Sequence, residues 1–218
     1  MASSDVDIGN MALAHIGDEA LVTSITPSDG TVQGDHLNRV YVQVRDWLLE
    51  RFAWKFATTR ATLALRSDID YSPAWTYVYA EPNNCLRMLS LLPSGYSSDD
   101  EGANFDTEVD STGQGLILTN TEDATARYIT RVSDPARFTP GFTEAFTWFL
   151  AAALAGPIIK GETGRQEALR CWQVGATQFA SATGLSANQA RRTLDHIPAF
   201  MQARGSYDAQ NERAEIIR

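Results

Sequence analysis

The sequence has little with which to make covalent or metal staples. Two cysteines, Cys85 and Cys171, stand far apart in 218 residues. That is too few for a disulfide framework, and both lie among apolar neighbours, where buried free thiols are expected. Three histidines, His15, His36 and His196, occur singly, without the spacing a zinc site needs. Basic residues are scarce too: 18 Lys and Arg against 27 Asp and Glu give a formal charge of −9. A chain that grips nucleic acid replaces phosphate counterions with cations, so this balance argues against that class.

Other absences narrow the field further. Gly161-Glu-Thr-Gly164 lacks the spacing and the Lys-Ser/Thr of a phosphate loop, and reads as a turn between helices. Asp68-Ile-Asp70 and Asp99-Asp100-Glu101 lack the regular spacing and turn glycine of a calcium loop, and read as solvated loops. No base stands poised beside a nucleophile, so no enzyme, cofactor or metal is expected. The opening MASSDVDIGN has neither a basic nor an apolar run, so no secretory signal is expected. Phe142 to Ile159 is the longest apolar stretch, but Glu144 and Gly156-Pro157 interrupt it, and a packed helix is expected there.

What is present is a β segment between two helical blocks. A helix is expected over Asp5–His15, with Ser3 or Ser4 as N-cap and Gly17 as its stop. A loop follows, then a long helix from Val32 to Trp54. Leu37, Val40, Tyr41, Val44, Trp47, Leu48, Arg51 and Phe52 repeat there at helical spacing, with the Arg51 guanidinium reaching outward. Lys55 to Leu65 reads as a strand. Trp75 to Leu92 reads as two adjacent strands joined at Glu81-Pro-Asn-Asn84, with Trp75, Tyr77 and Tyr79 on one face. Cys85 to Leu92 is apolar on both parities, which predicts a strand covered on both faces. Further strands are predicted at Phe105–Val109, Leu116–Asn120 and Ala124–Val132, making one small antiparallel sheet domain.

Thr139-Pro140 predicts a helix start, and Gly156-Pro157 an end or kink. A last helix, from about Thr163 to Thr183, is expected to carry Leu169, Trp172, Ala176, Phe179 and Ala180 on one face and to close at Gly184. Beyond it the chain loses large apolar residues, and an extended arm is expected. Charge is uneven: Arg66 to Asp123 holds eleven Asp and Glu against two Arg. That is either a solvated face kept for solubility or a surface that DNA passes without sticking.

Four stretches resemble the tail tubular protein A family, the head-to-tail adaptors of short-tailed bacteriophages. They are Asn10-Met-Ala-Leu-Ala-His-Ile-Gly17 with Val22 and Ser24; Trp47 with Trp54-Lys-Phe-Ala57; Tyr79-Ala-Glu-Pro-Asn-Asn-Cys-Leu-Arg87; and Tyr128-Ile-Thr-Arg-Val-Ser-Asp-Pro135 with Phe138 to Ala155. Together they span roughly residues 6 to 180. Asn84 departs from the pattern, where an acidic residue is expected.

The resemblance implies a virion structural protein, a ring of about twelve copies at the head-to-tail junction. It would join the portal protein to a downstream tail or nozzle protein and form part of the DNA channel. Twelve copies would place about −108 formal charges around that channel, so DNA would slide without specific binding. The fold class is α+β: a helical bundle from 1–56 and 136–184, an inserted antiparallel β domain over 57–135, and a C-terminal arm over 185–218. Phe200, Met201, Arg204, Tyr207, Ile216 and Ile217 of the arm are expected to dock on portal or a neighbouring subunit. Asp99, Asp100 and Glu101 are candidates for a lumen or tail-facing loop. Two alternatives stand beside this reading: an adaptor of a long-tailed phage carrying a stopper or tail tube, and a small metal-dependent hydrolase using Asp68, Asp70 or Asp99–Glu101.

Overall fold

Ser4 begins the first helix, α1 (Asp5–His15), through a capping box. Its hydroxyl accepts from the Asp7 N–H while the Asp7 carboxylate accepts from the Ser4 N–H. Gly17, at φ 76°, takes the left-handed conformation that ends it. The computed structural model describes residues 4–95 and 102–189. The chain divides into two units, Met1–Ser186 and Ala187–Arg218, and the helices and strands fall in the first, save the final residue of the last helix.

Helix α2 (Val32–Arg51) starts at Thr31, whose hydroxyl accepts from the Gly34 N–H. It stops three residues earlier than the periodicity predicts, and Trp54 is the reason. Phe52 is extended, and the buried Trp54 indole folds back so that its Nε1 donates to the Leu48 carbonyl at 2.9 Å. The bond pins the indole against the last turn of α2. Arg51 is exposed as expected, and its guanidinium lies over the Trp47 ring, 4.3 Å from its centroid.

Seven strands make two antiparallel sheets instead of the single sheet expected. They are β1 (Thr58–Thr62), β2 (Ala64–Leu65), β3 (Tyr77–Ala80), β4 (Cys85–Leu92), β5 (Phe105–Val109), β6 (Gly115–Thr119) and β7 (Thr125–Thr130). One sheet runs β1-β7-β4 and the other β2-β3-β6-β5. The two strands of Trp75–Leu92 therefore follow each other in sequence but do not pair. Pro82 has no N–H for a ladder, and Asn84 turns the chain at φ 61°, so Cys85 enters the other sheet. Trp75 also leaves the face expected for it. It precedes β3 and packs with Val78, whereas Tyr77 and Tyr79 pack on the opposite side.

The cores explain the arrangement. Leu63, Tyr79, Leu91, Ile117, Ala126 and Tyr128 fill the space between the sheets. Leu116, Leu118 and Val78 cover the far face of the second sheet. Leu86, Leu89, Ile129 and Val132 turn the first sheet toward the helices. Strand β4 serves both sides, as its apolar run predicts, but by an unexpected spacing. Register shifts between Cys85 and Arg87 and between Met88 and Ser90 change a two-residue period into three. Leu86 and Leu89 thus face the helices, while Cys85, Met88 and Leu91 face the other sheet.

Helix α3 (Pro140–Ile159) begins as predicted, with Thr139 accepting from the Phe142 N–H and Pro140 in the first turn. Pro157 does not end it. The proline lies on the exposed side of the last turn, and the helix continues to Ile159 before Lys160 turns at φ 64°. By length and composition α3 could cross a membrane, yet half of its most apolar window is buried in the fold. Helix α4 (Gly161–Ala187) follows, passing through Gly184 instead of closing there. Among the described residues the architecture is mixed α and β, with four helices and two small antiparallel sheets.

Candidate functional site

Helix α4 carries two stripes, and of the expected one only Phe179 packs, half-buried, against the core. Gly164, Cys171, Gly175, Ala182 and Ser186 are buried. Leu169 and Trp172 are 60% and 47% exposed. The stripes lie about a quarter turn apart at 100° per residue. The small side chains win because they let α4 lie close on α3. A Cβ on Gly175 would stand 3.3 Å from the Phe149 ring, and one on Gly164 would stand 3.1 Å from the Ala155 carbonyl oxygen. The larger apolar side chains are left at the edge of that contact.

The consequence is an open groove of about 440 Å³ between α2, α3 and α4. Val44 and Trp47 line it from α2, Phe149, Ala152 and Ala153 from α3, and Ala168 and Trp172 from α4. Three aromatic rings hold one another: Phe149 meets Trp172 at 4.8 Å and Trp47 at 5.2 Å, and Trp47 meets Trp172 at 5.5 Å. Polar groups are few. Gln43 lines one edge, and Pro157 has no N–H to give the carbonyl of Ala153. Large exposed aromatics beside an apolar concavity are the chemistry of a binding surface. Sequence periodicity sets Trp47 and Trp172 on the apolar faces of their helices; Trp47 packs partly buried against the core and Trp172 stays exposed. The signal that could have separated them is the Gly-Cys-Gly stripe, which marks the tighter helix face.

A second arrangement, at the end of α1, is structural. The His15 ring stacks on Trp148, and its Nε2 lies 3.1 Å from the Thr147 hydroxyl. That hydroxyl also lies 2.9 Å from the Glu144 carbonyl, to which it donates, so the imidazole is held at its face by Trp148 and at its edge by Thr147. Arg170 donates to the His15 carbonyl and pairs with Glu167, fastening the end of α1 to α4. Burial pushes the Cys171 thiol up to about 11 and the Cys85 thiol up to about 12. Both therefore stay protonated near neutral pH.

The loop carboxylates are engaged locally. Asp68 pairs with Arg66 through two hydrogen bonds, and Asp70 accepts from the Ser72 N–H at 2.8 Å. The Thr112 hydroxyl and the Gln114 N–H hold Asp110 down to about 2. Among the described residues no three His, Cys, Asp or Glu side chains come together as metal ligands. Asp99, Asp100 and Glu101 lie outside the described residues, as do Phe200, Met201, Arg204, Tyr207, Ile216 and Ile217. No protein-family model matches the chain, and no curated protein matches its sequence.

Proposed function

We propose that this protein is a virion structural protein, a head-to-tail adaptor whose copies form a ring between portal and tail around the DNA channel. The observation that carries the reading is the aromatic groove left open between α2, α3 and α4. It is a surface suited to a protein partner, in a chain whose thiols and loop carboxylates are already committed to packing and turns. The four family-like stretches add to this, because two of them supply Trp47 and Phe149, Ala152 and Ala153 of the groove. On this reading the helices of 1–56 and 136–184 act as one bundle, and the strands of 57–135 are the inserted part. The acidic Arg66–Asp123 segment then fits a wall past which DNA slides, and the arm after residue 184 fits a tether to portal or to a neighbour.

A ring adaptor of this kind meets itself, portal and a downstream tail protein, and one measurement reaches the first two. The mass of the full-length protein should rise in steps with concentration, and on adding purified portal it should reach a single closed assembly visible as a ring in electron micrographs. A chain that stays monomeric and does not co-sediment with portal would remove the adaptor reading.

A further inference from the structure

Among the described residues, β5 is the last strand of its sheet, and its outer side is the longer of that sheet's two edges. At the other end β2 has only two residues, and in the first sheet β4 is broken by two register shifts. Short and bulged edges give an incoming strand little to pair with. β5 instead holds five residues in unbroken register with β6, and Val109 at its end is 67% exposed. It is an edge to which another strand could be added.

The turn after β5 fixes which way its backbone groups point. The Asp110 N–H donates to the Gln114 carbonyl at 2.8 Å, so the N–H and C=O of Asp106 and Glu108 face β6. Those of Phe105, Thr107 and Val109 face away from it. Just before the strand, the Ala103 N–H lies on that outer side and donates to the Leu91 carbonyl of β4 at 2.7 Å. The middle donor of the outer row is taken as well: the Thr107 N–H donates to the carboxylate of Asp106 at 2.8 Å. Asp106 and Thr107 are both exposed. Water could serve this N–H, so the bond is not there to satisfy a buried donor.

The side chains add a second obstacle. Asp106 and Glu108 stand opposite Leu118 and Leu116 and share the far face of the sheet. If two copies of β5 paired antiparallel about Thr107, Asp106 of each would lie directly across from Glu108 of the other. Like charges set directly opposite oppose pairing. An edge that meets its own copy needs no second surface, so β5 itself is the strand always at hand. We propose that Asp106 is a guard residue: its carboxylate occupies the Thr107 N–H and keeps the outer edge of β5 from pairing with β5 of another copy. An incoming strand has to displace a charge-assisted hydrogen bond and set its own carbonyl beside a carboxylate. The guard does not depend on the adaptor reading, and it keeps the strands of neighbouring copies apart in any assembly the chain makes.

Hydrogen exchange of the full chain over residues 103–110, read at rising protein concentration, tests it, with circular dichroism to confirm the fold of each variant. In wild type the exchange of this segment should not change with concentration. Asp106→Val removes the bond and the charge together, and should slow that exchange by at least about tenfold at high concentration. Asp106→Asn keeps an oxygen that accepts from the Thr107 N–H and loses only the charge, so it should stay within about threefold of wild type. Asp106→Val exchanging like wild type at every concentration overturns the guard. So does Asp106→Asn slowing as much as Asp106→Val, because charge alone would then be the obstacle. Wild type slowing as much as Asp106→Val overturns it too, since the edge would pair with Asp106 in place.

Discussion

The imidazole of His15 lies flat on the indole of Trp148, ring centroids 3.7 Å apart and planes 13° from parallel. The stack ties the last residue of α1 to the middle of α3, and Arg170 binds the His15 carbonyl from α4. Three helices thus meet at a titratable group. Burial lowers the His15 pKa, Glu144 opposes that, and Arg170 adds to it.

The sign of the resulting pH dependence follows. The unfolded chain takes up its proton near pH 6.5, while the folded chain does so only at lower pH. His15 therefore leaves stability intact above about 6.5 and lowers it as pH falls from there through the folded pKa. Urea midpoints for wild type should drop between about pH 7 and about pH 5, and His15→Gln should flatten that part of the curve. An unaltered slope in the variant would assign the pH dependence to other groups.

Trp54 closes α2 through a single buried hydrogen bond to the Leu48 carbonyl. Phenylalanine fills most of the same space but has no donor. Trp54→Phe should therefore cost about 0.5–1.5 kcal/mol, the net contribution of one buried hydrogen bond. Denaturant unfolding gives the number. A loss below about 0.5 kcal/mol would mean that water reaches the carbonyl.

Asp46 bonds two arginines of different burial. Arg45 is nearly buried at 8% side-chain exposure, whereas Arg131 is 45% exposed. Asp46→Ala leaves Arg45 as a buried cation without its carboxylate and should cost about 3 kcal/mol. Arg131→Ala removes a half-exposed pair and should cost about 1 kcal/mol or less. Equal losses in the two variants would contradict this asymmetry.

The two stripes of α4 should respond in opposite ways to a change in size. Gly175→Leu must push the Phe149 ring or lift α4 from α3, at a cost of about 1–3 kcal/mol. Leu169→Ala trims an exposed side chain and should stay within about 0.5 kcal/mol. Thermal melts of the pair distinguish them, and a larger loss from Leu169→Ala would reverse the assignment of the buried face.

Local chemistry was the legible part of the sequence. Ser4, Gly17, Thr139 and Pro140 mark helix ends that the structure places within a residue, because caps act on their own first turn. Strands such as Phe105–Val109 stand where alternation and turns put them. Pairing was not legible: nothing in Trp75–Leu92 states that its halves enter different sheets, since each partner lies some 40 residues along the chain. The α2 terminus was misread because a side-chain bond from Trp54 overrides the apolar repeat. The groove escaped notice because periodicity reports which residues are apolar, and two helices with small residues between them can leave the larger ones outside.

The doubled bulge in β4 has a mechanical consequence. A strand with side chains keyed into both neighbouring layers cannot slide along either one without unseating Leu86 and Leu89 on one side and Met88 and Leu91 on the other. Force applied to the sheets therefore reaches the helices through a shear-resistant key, not a hinge. Excising 57–135 would also strip Leu86, Leu89, Ile129 and Val132 from the helical core. The strands interrupt the helices in sequence, but they are not a cassette that can be lifted out.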